Sequence, residues 1–161
     1  MAKETEVSVK VGDAAPDFTV STQDGNAISL RDFRGKQVIL YFYPKDNTPG
    51  CTLEACSFRN RWQELQQLGV VVLGVSTDSA ASHERFAKRF ELPFPLLADV
   101  DKEVSNAYGA WGMKSFMGRK YMGMHRITFL LGPDGRIQHI WTKVKTAKHA
   151  EEILAFLRQA S

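Results

Sequence analysis

An α/β fold, with a mixed sheet at its centre and helices covering it, is predicted by three observations. Apolar, strand-like segments alternate with segments of helical period. The runs 37–43 and Val70 to Val75 are apolar with little interruption, as expected of strands covered on both faces. Near the C-terminus, two strand-like segments flank Gly132-Pro133-Asp134-Gly135, a hairpin signal.

The elements follow in order. Residues 1–14 read as a loose arm, and Ala15-Pro16-Asp17-Phe18-Thr19-Val20 as a short strand. Gln23-Asp24-Gly25-Asn26 has turn composition, after which Ile28, Leu30 and Phe33 enter the core and Ser29 can cap a helical turn. After the first buried strand, Ala55, Phe58, Trp62 and Leu65 recur at helical spacing within 50–68. After the second, Asp78 or Ser79 caps a helix running to about Phe90, with Phe86 and Phe90 on one face. A short helix is expected around Lys102–Tyr108. The hairpin strands are Arg126–Leu131 and Arg136–Trp141, and Ala147–Gln159 closes the chain with Ile153, Leu154 and Leu157 turned inward. The order β-α-β-α-β-β-α is that of a thioredoxin-like fold with an N-terminal extension. A flavodoxin-like sheet would read similarly up to residue 100, but the late hairpin favours the first.

Composition narrows the function. A chain of 161 residues, 43% hydrophobic, suits one domain spanning 1–161 with a core that needs no disulfide staples. The formal net charge of +3 is too small to argue for nucleic acid. No apolar run approaches the ~20 residues of a membrane span. The polar N-terminus resembles neither a signal peptide nor a transit peptide, so the cytoplasm is the expected compartment. Two cysteines there point to redox or catalytic chemistry rather than to staples.

Those two cysteines carry the most informative segment, Tyr43-Pro44-Lys45-Asp46-Asn47-Thr48-Pro49-Gly50-Cys51, with Cys56 five residues on. Thr48 suits a helix N-cap and Pro49 the first helical position. Cys51 then lies in the first turn, where free N–H groups and the helix dipole favour a thiolate, the reactive form of cysteine. Cys51, Ala55, Phe58 and Trp62 share one helical face, so the sulfur is sheltered. Cys56 lies ~140° around the helix and ~7.5 Å along it, with the two Cα atoms ~8–9 Å apart. That exceeds the ~7 Å reach of a disulfide, so pairing requires the first turns to unravel.

Pro44-x-x-x-Thr48-x-x-Cys51 resembles the active-site pattern of the peroxiredoxins. The wider run from Tyr41 to Asp46, then Gly50-Cys51-Thr52-x-Glu54 with Cys56 at this spacing, is similar to the peroxiredoxin Q branch, also called bacterioferritin comigratory protein. The resemblance continues through Ala15-Pro16-Asp17-Phe18, Trp111-Gly112, Lys120-Tyr121-Met122-Gly123 and Arg126-Ile127-Thr128-Phe129-Leu130. It implies a thiol peroxidase for hydrogen peroxide and organic hydroperoxides, without metal or organic cofactor. Cys51 would attack the peroxide and become a sulfenic acid, and Cys56 would resolve it as an internal disulfide. Thr48 would hydrogen-bond sulfur and peroxide, Arg126 would hold the thiolate, and Pro44 would shield it. A thioredoxin-type protein, or a glutaredoxin, would recycle the disulfide. A monomer suffices, because the disulfide needs no second subunit.

Other readings compete. A general thiol–disulfide oxidoreductase usually carries Cys-x-x-Cys, which is absent here. A peroxide sensor would share the site but hold its partner in a lasting mixed disulfide. Cys56 as an inert helix residue would leave Cys51 to an external thiol. Glu54 is expected to pair with a nearby arginine such as Arg59, as structural support. The histidines at 83, 125, 139 and 149 lack zinc-site spacing. Asp99-x-Asp101-x-Glu103 suits helix capping better than calcium, because Val104 and Ala110 stand where that loop needs Gly and Glu. The Met-rich segment 112–124 reads as an irregular loop partly filling the core, or as a flap that admits bulky alkyl hydroperoxides.

Overall fold

The computed structural model describes residues 8–159, so the first half of the expected N-terminal arm lies outside the described residues. The first hairpin pairs β1 (Thr19–Ser21) with β2 (Ala27–Ser29). A 3-10 turn, Leu30–Phe33, follows Ser29, whose N–H donates to Asp32 at 2.9 Å. The Ser29 hydroxyl instead meets Thr19 Oγ1 at 2.6 Å.

The main sheet is built from β3 (Val38–Phe42), β4 (Val71–Ser76), β5 (Leu96–Ala98), β8 (Ile127–Leu131) and β9 (Ile137–Trp141). The spatial order is β5-β4-β3-β8-β9. The first three strands run parallel, and β8 lies antiparallel against β3 and β9. The antiparallel β3–β8 pair at the centre is what separates this fold from an all-parallel flavodoxin-like sheet.

Period-2 alternation assigns each strand residue to one of two cores. Ile39, Tyr41, Val72 and Leu130 face α1 (Pro49–Asn60), α3 (Ala80–Phe90) and α5 (His149–Gln159), meeting Phe58, Phe86, Ile153 and Leu154. Val38, Leu40, Phe42, Leu73 and Phe129 face the other way. They meet Val104 of α4 (Glu103–Ala107), Tyr108, and Ala15, Phe18 and Leu30 of the N-terminal extension.

Ser79 caps α3 by accepting from Ser82 N–H at 3.1 Å, leaving Asp78 for other partners. Asp99 accepts from the N–H groups of Val104 (3.1 Å) and Ser105 (2.7 Å), which agrees with capping. The single helix expected over 50–68 divides at Arg61, whose backbone (φ −110°, ψ 14°) leaves the helical region, and α2 (Trp62–Gln67) follows.

Segment 112–124 is not an irregular loop filling the core. It forms a regular antiparallel hairpin of β6 (Trp111–Phe116) and β7 (Arg119–Met124), with Met113, Phe116, Met117, Tyr121 and Met122 exposed. Its two-residue turn places Met117 at φ 51° and Gly118 at φ 78°. Both angles are left-handed, as tight hairpin turns require, but Met at the first position hides the usual Asn-Gly signal.

Candidate active site

β3 ends at Phe42, and the backbone is held one residue further by Tyr43 N–H donating to Val75 O at 3.0 Å. The chain then turns through Pro44–Thr48 into α1. Thr48 takes the extended N-cap backbone and accepts from Thr52 N–H through its carbonyl at 2.9 Å. Its side chain does not cap the helix. The hydroxyl donates back to Lys45 O at 2.8 Å, which ties the turn and commits its proton. Pro49 opens the helix and Cys51 is its third residue, 1% exposed. Pro44 is half-buried.

The antiparallel β3–β8 register pairs Phe42 with Ile127, so Arg126 falls opposite the start of the cysteine turn. Its guanidinium spans two groups. Nη2 donates to Cys51 Sγ at 3.3 Å and Nη1 to Glu54 Oε1 at 2.6 Å. Arg126 thus holds the sulfur from one side while the fully buried carboxyl group of Glu54 holds Arg126 from the other. A Cβ at Gly50 would come within 3.3 Å of Nη2, so glycine leaves room for the guanidinium.

The expected Glu54–Arg59 pair does not form. Arg59 turns outward to Phe90 O at 2.8 Å and to Asn60, while Glu54 faces inward from the same side of α1 as Cys51. The i, i+3 spacing of Cys51 and Glu54 carried this relation, but the choice of arginine depended on which strand lay opposite. Burial pushes the Glu54 carboxyl up to about 7, against the pull of Arg126. Glu54 Oε2 and the Tyr41 hydroxyl are buried without a protein partner. Arg126 loses something to burial, yet Glu54 and Cys51 together hold it more firmly charged.

Two further layers support the site. Ser57 donates to Glu54 O at 2.7 Å and accepts from Ala150 N–H at 3.3 Å, joining α1 to the start of α5. Below the turn, Asp46 accepts from Tyr43 OH (2.6 Å) and Ser82 Oγ (2.8 Å), and lies 2.7 Å from His83 Nδ1. His83 Nε2 meets Leu97 O at 2.9 Å, and Asp46 N–H donates to Asp78 at 2.9 Å. Sequence spacing alone left His83 an ordinary scattered histidine, because its partners, Asp46 in the cysteine turn and Leu97 in β5, lie far from it in the chain. Among the described residues, the group of acidic and histidine side chains close enough to share a cation is Asp46, Asp78 and His83. It contains neither cysteine, and its ligand atoms are already hydrogen-bonded.

Cys51 and Cys56 are free thiols in one unbroken helix, Cys56 being partly buried. This is the wound state. Lys114 of β6 donates to Met124 O at 2.8 Å, and its ammonium is depressed by burial and by Arg126, with Cys51 opposing. The exposed hairpin therefore begins beside the site.

A sheltered sulfur in the first turn of a helix, met by an arginine on a thioredoxin-like sheet, is equipped to attack a polarised O–O bond, and it defines a thiol peroxidase. The chain belongs to the AhpC/TSA family, whose family model matches residues 11–140. Within that family it is a thioredoxin-dependent peroxiredoxin of the bacterioferritin comigratory protein, or peroxiredoxin Q, group. It is 47% identical over 151 residues to Peroxiredoxin Bcp of Escherichia coli strain K12, covering 94% of this chain and 97% of the relative. A Coxiella burnetii chain carrying the peroxiredoxin bcp name is 49% identical, covering 94% of this chain and all of the relative. Among solved structures, bacterioferritin comigratory protein of Xanthomonas campestris, studied for its alkyl peroxide reduction activity, superposes with a TM-score of 0.86. That match has 36% identity and covers 96% of this chain and 99% of the other.

Proposed function

We propose that Cys51 is the peroxidatic cysteine and Cys56 the resolving one, acting on hydrogen peroxide and alkyl hydroperoxides. The Cys51 thiolate attacks the terminal peroxide oxygen. The S–O bond forms as O–O breaks, leaving a sulfenic acid and, after proton uptake, water or an alcohol. Cys56 then attacks the Cys51 sulfur, water leaves, and an internal disulfide closes. A dithiol protein of thioredoxin type, with glutaredoxin a second candidate, returns both thiols at the cost of its own oxidation.

The single observation that supports this reading best is the Arg126 bridge between Cys51 Sγ and Glu54. Its guanidinium can stabilise the thiolate first and the departing oxygen afterwards. Thr48, its proton committed to Lys45 O, offers lone pairs to a peroxide O–H. Pro44 walls the turn. Oxidation at Cys51 followed by disulfide formation requires the first turns of α1 to unwind, because α1 keeps the two cysteines on different faces.

One folded unit acting as a monomer suffices for this cycle, and a reducing compartment such as the cytoplasm suits two reducible thiols. Among the described residues, no helix is long and apolar enough to cross a membrane. The test is stopped-flow mixing of the reduced protein with hydrogen peroxide, then mass analysis. Loss of two hydrogens in a Cys51–Cys56 cross-linked peptide is expected. Sulfinic acid accumulating on Cys51 at one equivalent of peroxide would overturn the role given to Cys56.

A further inference from the structure

The β6–β7 hairpin projects a tip that the peroxidase chemistry does not use. Phe116 is 65% and Met117 87% exposed, and both sit at the turn. Behind them come the rungs Phe116↔Arg119, Ser115↔Lys120 and Lys114↔Tyr121. Arg119, Lys120 and Tyr121 are exposed as well. No acidic residue occurs between Glu103 and Asp134, so Arg119 and Lys120 meet no negative charge within their own segment, while Lys114 turns back to Met124 O.

We propose that this hairpin docks on an anionic lipid bilayer, its apolar tip entering the interface and its cations lying on the phosphates. The spacing suits that surface. The tip stands about 7 Å beyond the Lys114–Tyr121 rung, taking two residues of strand at ~3.3 Å each. Interfacial elements bury their apolar residues to roughly that depth, about 5–10 Å. Long cationic side chains can reach back to the headgroups while their stems cover apolar surface, and a tyrosine suits the same level. An acidic protein would also answer the charge, but a collar of cations behind a narrow protruding tip fits a planar layered surface better than a complementary pocket. β7 leads through His125 directly into Arg126, so docking tethers the cysteine site about one strand's length from the bilayer.

The test is flotation of the reduced full chain with vesicles of phosphatidylcholine alone or mixed with phosphatidylglycerol. Binding to the mixed vesicles only is expected, weakening as salt rises. The variant R119E/K120E is expected to lose at least about 25-fold in partitioning, roughly fivefold for each cation removed, with hydrogen peroxide turnover in solution unchanged. The variant F116W is expected to blue-shift its added emission on the mixed vesicles. No flotation of the parent chain, or flotation indifferent to R119E/K120E, would overturn the proposal. So would an F116W emission that does not move. If R119E/K120E leaves flotation unchanged but raises the KM for the reductant, the hairpin is a protein-docking surface instead. Peroxidase activity is read separately, so failure of the docking proposal leaves the roles of Cys51 and Cys56 standing.

Discussion

Arg126 is the residue on which the proposed chemistry turns, because it touches the sulfur and is itself held by a buried acid. Lowering a thiol pKa from about 8.5 to about 6 raises the thiolate fraction at pH 7 from roughly 3% to roughly 90%, only ~30-fold. A less basic thiolate is also a weaker nucleophile. Donors aligned on the breaking O–O bond must therefore supply more than thiolate formation does. Arg126→Ala is expected to lower the second-order rate with hydrogen peroxide by about 100-fold or more. Thr48→Val should cost about 10-fold or more. Each loss should exceed what the variant's measured thiol titration explains. Rate losses that track that titration alone would return the work to thiolate formation. Glu54 shows how residue-scale reading reached its limit. Its spacing from Cys51 placed it near the site, but not against Arg126, which is 72 residues away in the chain.

At the scale of elements, α1 is both the support of the site and the part that the proposed disulfide requires to give way. Its N-terminal half carries Cys51 and Glu54, and Ser57 anchors its middle to α5 through Ala150. Oxidation should therefore loosen the turns ahead of Ser57 while the remainder stays packed. Hydrogen exchange after one equivalent of peroxide is expected to show lost protection over residues 49–56 in the parent chain and retained protection in Cys56→Ser. Equal loosening in both would mean that sulfenic acid formation, not disulfide closure, opens the helix. The 43–48 turn sits on the Asp46–His83 network. Asp46→Asn leaves His83 Nδ1 facing an uncharged amide in a fully buried site and is expected to cost about 2–4 kcal/mol by urea denaturation. The long helices and the buried strands were legible in the sequence because their apolar periods are strong. The hairpin at 111–124 was not. Three glycines and a Met-Gly turn weaken its strand signal, and its exposed methionines read as core residues by type alone. β5 escaped because three residues following Pro93 and Pro95 carry no period to detect.

For the molecule as a whole, two buried titratable groups near the site pull stability in opposite directions. Glu54 holds its proton up to about 7 because burial penalises its charge, against an ordinary value of 4.5. The folded state therefore binds that proton more tightly than the unfolded one. Stability falls as pH rises from about 4.5 to about 7, by ~1.4 kcal/mol per pH unit at most. His149 is depressed to about 3 by burial and then by Arg126. Its folded state binds the proton less tightly, so its contribution rises with pH between about 3 and 6.5. The two slopes oppose each other between about pH 4.5 and 6.5. Relative to the parent chain, His149→Gln is expected to lose stability progressively as pH rises through that window. Urea midpoints at half-unit intervals check this, and a constant offset between the two proteins would show that His149 does not titrate on unfolding.

The sequence by itself determined the class of fold, the thiol chemistry and the positions of the cysteines, Thr48 and Pro49, because these depend on local period, capping and spacing along one helix. It also marked Arg126, through a motif that extends beyond that helix. Only the tertiary structure decided that Arg126 pairs with Glu54, that Asp46 meets His83 beneath the turn, and that the methionine-rich segment stands out as a hairpin. Each of these depends on which strands and helices lie side by side. That is set by antiparallel pairing of β8 against β3 and by burial on the two faces of the sheet, neither of which is written in the spacing of residues along the chain.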